Sequence, residues 1–471
     1  MSERSRVVII GAGPTGLGAA RRLTELGCSD WLLLEAGGQP GGLAASFVDE
    51  RGFTWDIGGH VQFSHYEYFD SVMDDLLGPD GWLTHERESW VWLRGRFVPY
   101  PFQNNIRLLP HDDAERCLHG LVDIVESPRP APNHFGEWME AKFGRGIVDV
   151  FMRPYNFKVW AHPAEAMSAS WVGERVAVTD LRRVLSNFVH GRDDVSWGPN
   201  STFRFPLRGG TGAVWKACAE RLPKNHLRYG CPVAHVDLDS KVLTTRSGHR
   251  IKYDTLVSTM PLDVLADLSQ QAELAAVARN GLLRSSSNIV GIGLNGAPPE
   301  ALRRKCWMYF PEDDCPFYRV TVFSNYSPNN VRDPSSQWSL MAEVSESQHK
   351  PVDSLSLVDS VVDGALATGL IRDRGDVVST WRYRAEYGYP IPSVGRDNAL
   401  AVMLPFFESH DVLSRGRFGA WKYEVSNQDH SFMQGVEAAE RIINGRSEVT
   451  VFDPEYANSR KHAWPFGCWN S

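Results

Sequence analysis

The sequence lacks most of what would mark a secreted, membrane-bound or nucleic-acid-binding protein. Its seven cysteines (28, 117, 218, 231, 306, 315 and 468) are scattered, odd in number and contain no C-x-x-C pair. That excludes a disulfide framework and a dithiol or zinc motif, and predicts reduced thiols. No apolar run approaches the ~20 residues of a bilayer-spanning helix. The opening MSERSR runs into a strand pattern without an apolar leader. These absences predict a soluble, cytoplasmic protein with no membrane partner. Basic residues are not in surplus either: 49 Lys and Arg against 57 Asp and Glu give a net charge of -8. Nucleic acid is therefore not an expected partner, and any anion site must be built from a few local arginines. There is no internal repeat and no low-complexity segment. With 471 residues, 42% of them hydrophobic, the chain can bury a large core in two or three domains.

What is present begins at once. Arg6 to Gly18 reads RVVIIGAGPTGLG, a β-branched run, then Gly11-x-Gly13-x-x-Gly16, then a helical pattern over Ala19–Leu26. In such a strand, turn and helix, Gly11 permits the turn, Gly13 lets a pyrophosphate reach the backbone and Gly16 lets helix and strand approach. Trp31–Glu35 (WLLLE) reads as the second strand, and Glu35 ends it where an acid can bind ribose hydroxyls. A second glycine pair, Gly41-Gly42, exceeds what a nicotinamide cofactor needs and points to a longer dinucleotide, FAD. A third pair, Gly58-Gly59 in FTWDIGGH, would let the backbone lie against something flat.

The expected fold is α/β: a discontinuous Rossmann-type domain (1–80, 203–265 and 395–471), an inserted helical domain (109–195), and an antiparallel sheet domain (82–108 and 280–394). Arg94-Gly95-Arg96 reads as a hairpin turn, after which Tyr100, Phe102 and Gln103 leave together. Those rings could stack on a base while the amide reads its edge, although aromatic clusters more often form core. The short strands of 285–350 would roof the flavin and carry Tyr309 and Arg319. In RAEYGYPIP, Arg384–Pro392, proline and glycine predict a loop displaying Tyr387 and Tyr389. Strand, polar turn and helix then recur at 413–444, so a second helix N-terminus can face the cofactor. In flavoproteins wound this way a valine, best assigned to Val233, packs against adenine.

At GGLAASF, GGHVQFSHYEYFD, VPYPFQNN, FMRPYNFKVWA, WVGERVA, WGPNSTFRFP, CWMYFPEDDCPFYRVTVFSNYSP and RGRFGAWKYEVSNQDHSFM the sequence resembles the UDP-galactopyranose mutases, in the form found in fungi and other eukaryotes. The resemblance runs from Val7 to about Asn444. It implies bound FAD, active when reduced, with NADPH as reductant, and no net redox change. The reduced flavin N5 would attack the anomeric carbon of a nucleotide sugar, UDP-galactopyranose first among them, displace UDP, and allow the ring to reclose as a furanose.

By position the resemblance makes Arg175 and Arg319 the two substrate arginines, sets His60 beside the isoalloxazine, counts Asn200 among the substrate contacts, and gives His60 and Asn200 redox-sensing roles. A lone buried arginine would otherwise read as a structural ion pair. Tyr309, Tyr389, Tyr423 and Asn427 match diphosphate and ribose contacts, and Tyr100, Phe102, Gln103, Asn156 and Trp160 match the uridine pocket. Cofactor positions matched are Thr15, Glu35, Leu43, Gly58, Gly59, Arg417, Gln428 and Ser431. Two departures stand out. The stretch after Pro328 is short where eukaryotic members carry an insertion, and Trp92 takes a place expected to be basic. Another nucleotide sugar, or an oxidoreductase of the amine oxidase or protoporphyrinogen oxidase type, is the alternative reading. The second of these would want an apolar tunnel rather than paired arginines.

Overall fold

The computed structural model describes residues 3–127, 130–195, 198 and 201–463. Strand Glu3–Ile10 lies between Trp31–Leu34 and Arg250–Ser258, parallel to both. Val7, Val8 and Ile9 are fully buried and feed cores on opposite faces, the pattern of a central parallel strand covered on both sides. Leu227–Arg228 extends one edge. Val412–Ser414 pairs in parallel with Arg250–Ser258, and the antiparallel strands Val233–Asp237 and Val242–Thr245 complete the sheet. The opening helix, Pro14–Glu25, packs along the C-terminal helix, Gln428–Asn444. A Cβ on Gly435 would lie 1.9 Å from the Thr15 carbonyl oxygen, so this helix pair touches backbone to backbone. The fold is the α/β dinucleotide-binding class expected.

A second sheet runs in the order Val377–Ile391, Leu283–Asn295, Gln337–Glu346, Arg319–Val322, Trp307–Tyr309, Ser89–Leu93, Arg96–Pro99. It is antiparallel except where Trp307–Tyr309 meets Ser89–Leu93. One face is closed by helix Leu357–Ala367 and the apolar residues around it. The other face carries Tyr309, Arg319, Glu343 and Tyr389 toward a helical unit. That unit comprises His111–Glu126, Phe135–Ile147, Arg153–Trp160 and Leu181–His190, around a core of Phe102, Phe135, Met139, Phe143 and Phe151.

The structure corrects one expectation and answers a question left by another. Tyr387 and Tyr389 stand not on a loop but on the long edge strand Val377–Ile391. The strand tolerates Pro390 because its outer side has no partner to receive a hydrogen bond. It tolerates Gly388 because the register shifts there: a Cβ on Gly388 would fall 2.2 Å from Ser287 Oγ. Trp92 faces away from Tyr309 and Arg319. Its ring lies 4.8 Å from Phe97, on the sheet face covered by the helix, so it does not occupy the position a basic substrate contact would need.

Candidate functional site

The first glycine turn and the second are bonded to each other. Gly41 N donates to the Ala12 carbonyl at 2.8 Å, and a Cβ on Gly42 would lie 3.3 Å from Gly13 Cα. Glu35 is fixed at both oxygens, by Ala12 N and Gly37 N, each at 2.7 Å. Its remaining lone pairs can accept from further hydroxyl donors. Thr15 is buried under this turn, and Leu43 and Val233 pack on one cluster with Met260. A glycine-walled cradle at a helix start, with an anchored acid beside it, fits a dinucleotide pyrophosphate and ribose.

Segment 58–65 crosses from this cradle to the second sheet and is tied at both ends. Gly59 N donates to Glu343 Oε1 at 3.0 Å. Gln62 Nε2 donates to Gln428 Oε1 at 2.9 Å, and His65 gives its backbone and ring N–H groups to Asp429 Oδ2 at 3.0 and 2.9 Å. His60 lies between those anchors with a buried Nδ1 that has no hydrogen-bond partner among the described residues. Burial pushes its pKa down to about 4; Glu343 opposes the shift, and Arg417 and Arg319 add to it. The imidazole is therefore neutral near pH 7, with one ring nitrogen free for a cofactor. His65, Asp429 and His430 bring possible ligand atoms within 4.8 Å of one another. Because Asp429 Oδ2 already accepts two N–H groups from His65, this cluster anchors the segment to the C-terminal helix.

Three guanidinium groups meet around Tyr389 and Tyr423. Arg417 lies 5.0 Å from the Tyr389 ring centre and 5.8 Å from that of Tyr423, and Arg175 lies 5.0 Å from Tyr423. Arg175 donates to the Glu424 carbonyl at 2.7 Å and to Asn427 Oδ1 at 3.4 Å. Arg417 donates to the Gly388 carbonyl and to Ser426 Oγ. Neither is paired with a carboxylate among the described residues. Burial lowers the Arg417 pKa, with Tyr389 and Tyr423 opposing, as expected for a desolvated cation lacking a counterion.

Arg319 differs. Its Nε and Nη2 grip Glu343 at 2.6 and 2.8 Å, directly across the strand pair. Burial works against the charge, but Glu343, with Tyr389 and Tyr318, outweighs it and holds the guanidinium above its ordinary pKa. Nη1 carries no hydrogen bond within the described residues, so Arg319 is both an ion pair and a donor with one free edge.

The side chains around these arginines are aromatic. Tyr309 has Tyr100 and Tyr155 rings at 5.3 Å on two sides, and Trp160 has Tyr423 at 4.8 Å and Tyr389 at 5.6 Å. Burial raises the phenol pKa values of Tyr309 and Tyr389, so both hydroxyls stay protonated. Asn156 Oδ1 accepts from Trp160 Nε1 at 3.2 Å. Gln103 donates to the Ala177 carbonyl and keeps a buried Oε1 without a partner among the described residues. Phe102 is fully buried with its ring 4.5 Å from Phe151. Ser431 lies in the first turn of the C-terminal helix, its N–H on the Asn427 carbonyl at 2.8 Å. Asn200 lies outside the described residues.

Sequence reasoning missed Tyr155, Glu343 and Arg87, whose guanidinium stands 5.7 Å from the Tyr100 ring centre. Tyr155 stacks on Phe151 at 5.2 Å, one helical turn away, a spacing the sequence does contain. Glu343 gave no such signal, since its role depends on strand register.

The family model described as flavin containing amine oxidoreductase matches residues 14–443. A crystal structure of reduced UDP-galactopyranose mutase superposes with a TM-score of 0.95 and 51% identity, covering 98% of this chain and 99% of that one. A candidate protoporphyrinogen oxidase from Exiguobacterium shares the fold at a TM-score of 0.70 and 17% identity, covering 94% and 99% of the two chains. Among curated proteins, 15-cis-phytoene desaturase of Glycine max is 28% identical over 179 residues, a stretch spanning 36% of this chain and 29% of the desaturase. With a cradle that fits a flavin dinucleotide and a family match across nearly its whole length, the chain belongs to the flavin-containing amine oxidoreductases, on the side of that family where UDP-galactopyranose mutase lies.

Proposed function

We propose that the protein is an FAD-dependent isomerase that interconverts the pyranose and furanose forms of a nucleotide sugar, UDP-galactose first among them. The observation that carries this reading is the meeting of Arg175, Arg319 and Arg417 at Tyr389 and Tyr423, with only Arg319 matched by an acid among the described residues. Uncompensated guanidiniums in a desolvated cleft call for a polyanion, and a diphosphate supplies one. An amine or porphyrinogen oxidase would want apolar walls there. The 51% identity to a UDP-galactopyranose mutase supports the same reading.

When bound and reduced, the flavin supplies a nucleophilic nitrogen for the anomeric carbon. The chain supplies the rest. Arg175 and the free edge of Arg319 meet the charge that develops on the departing diphosphate, each worth ~3 kcal/mol if it behaves as other preorganised donors do. The hydroxyls of Tyr309, Tyr389 and Tyr423 and the Asn427 amide donate without adding charge. Tyr100, Phe102, Gln103, Asn156 and Trp160 form the base pocket. Neutral His60 lies by the flavin without competing for the diphosphate.

The dinucleotide is assigned to segments within 3–80, 203–265 and 395–463, and the substrate to the space between 109–195 and the sheet built from 89–99 and 283–391; Trp82–Glu86, expected in that sheet, pairs instead with Thr202–Pro206. NADPH is the reductant, entering through the same cleft, for the chain has one dinucleotide fingerprint. We place the protein in the cytoplasm and in the eukaryotic branch of the mutases, the latter on the motifs from GGHVQFSHYEYFD to RGRFGAWKYEVSNQDHSFM. No helix among the described residues is long and apolar enough to cross a membrane.

The test is an anaerobic assay of dithionite-reduced protein with UDP-galactofuranose, following the ring forms by chromatography. Interconversion by reduced but not oxidised protein is expected. Steady oxygen uptake driven by an amine or porphyrinogen, without interconversion, would overturn the proposal.

A further inference from the structure

The two banks of the cleft belong to different units, yet a nucleotide diphosphate has a fixed length. Something must set their spacing. Helix Arg153–Trp160 carries Asn156 and Trp160, and between them, on the buried side, is Lys158, only 4% exposed. Its ammonium donates to the Glu312 carbonyl at 2.6 Å, the Cys315 carbonyl at 2.9 Å and Cys315 Sγ at 3.6 Å. All three acceptors lie in the loop joining the strand of Tyr309 to the strand of Arg319. No carboxylate pairs with Lys158 among the described residues, so its three donors are spent on that loop alone. Burial lowers its pKa, with Cys315 opposing.

The same helix is fastened from a second direction. Ser345 Oγ donates to the Lys158 carbonyl and Ser347 Oγ to the Ala161 carbonyl. Ser345 stands two residues beyond Glu343 on strand Gln337–Glu346, on the same face by strand alternation. One face of a single strand therefore references both the cation Arg319, through Glu343, and the helix of Trp160, through Ser345.

We propose that Lys158, with Ser345 as its counterpart, is a positioning residue that sets the distance between the base pocket and the diphosphate cations. This rests on the nucleotide-sugar reading above. Lys158 touches neither substrate nor flavin; it acts by holding helix and loop in register, so its loss should weaken the grip on nucleotide without changing the cofactor.

The experiment measures UDP binding to the flavin-loaded enzyme by calorimetry, together with flavin content and steady-state constants. Lys158→Met should raise the Kd for UDP, and KM with it, about tenfold, a change equivalent to ~1.4 kcal/mol. Flavin content should stay at the wild-type level, and kcat should fall less than KM rises. Lys158→Arg, which still donates to both carbonyls, should recover most of the affinity. Ser345→Ala, a smaller change that serves if Lys158→Met does not fold, should raise Kd by about threefold, ~0.7 kcal/mol. Wild-type affinity in both Lys158→Met and Ser345→Ala would overturn the inference, as would parallel loss of flavin and UDP binding. If the wild-type protein itself fails to bind UDP, the nucleotide-sugar reading falls first and takes this inference with it.

Discussion

Replacing Glu343 by glutamine should separate binding from turnover. The carboxylate is 2% exposed and accepts four donors: Arg319 Nε and Nη2, Gly59 N at 3.0 Å and Tyr318 Oη at 2.7 Å. Glutamine keeps the shape and one acceptor oxygen but turns an N–H₂ toward groups that also donate. Two effects compete. Loss of the negative charge leaves Arg319 uncompensated, and a unit charge ~4 Å away at an effective dielectric of ~20 is worth about 4 kcal/mol, which would strengthen its attraction for a diphosphate. Loss of the bidentate grip frees the guanidinium to rotate, and a donor out of place forfeits ~3 kcal/mol of transition-state stabilisation. The first effect acts on the ground state and transition state alike. The second acts where charge develops, so it governs the chemical step.

Glu343→Gln should therefore keep its flavin, bind UDP at least as tightly as the wild type, and lose about 10²-fold in kcat. Stability should fall by ~3 kcal/mol, as when a buried pair is broken from one side. The assay pairs UDP calorimetry with single turnovers of the dithionite-reduced protein. Weaker UDP binding with unchanged kcat would refute the reasoning, since Glu343 would then be serving the ground state alone.

Other outcomes follow from the same geometry. Arg175→Ala and Arg319→Ala should each lower kcat/KM by about 10²-fold while the protein stays yellow; a colourless variant would assign that arginine to cofactor or scaffold. His60, with its pKa depressed to about 4 in the folded protein, stays neutral while the unfolded chain takes up a proton below about 6.5. Its contribution to stability is thus complete above pH 6.5 and lost as pH falls toward 4, ~3 kcal/mol in all. His60→Asn should flatten the acid limb of a melting-temperature profile over that window, and an unchanged limb would count against a buried neutral imidazole. Gly435→Ala would place a methyl group 1.9 Å from the Thr15 carbonyl and should cost 1–3 kcal/mol, roughly, as overpacking does. Flavin content per chain should drop with it; full occupancy with a wild-type melting point would show that the helix contact yields freely.

Much of the cofactor half was legible because it is encoded locally. The β-branched run, the three glycines and Glu35 lie within thirty residues of one another and each has one conformational use. The cleft was legible only by resemblance. Taken singly, Arg319 reads as an ion pair, and it is one, with Glu343; what makes it more is the unshared Nη1, which no pattern of residue types reveals. Strand Val377–Ile391 misled for the opposite reason. Its glycine and proline carry a strong local turn signal, overridden by an edge position and by Ser287 filling the space above Gly388. Lys158 drew no reading from sequence, since nothing nearby in the chain shows that two carbonyls from 312 and 315 close over it.

The backbone contact between the opening and C-terminal helices has a consequence for assembly. Thr15 and Gly435 are separated by most of the chain, so the cradle that forms first on the ribosome lacks its far wall until the last segments emerge. Closing a contact of that span is slow compared with forming the local turn. Flavin capture then waits for the C-terminal helix, and a chain truncated before residue 428 should hold no dinucleotide.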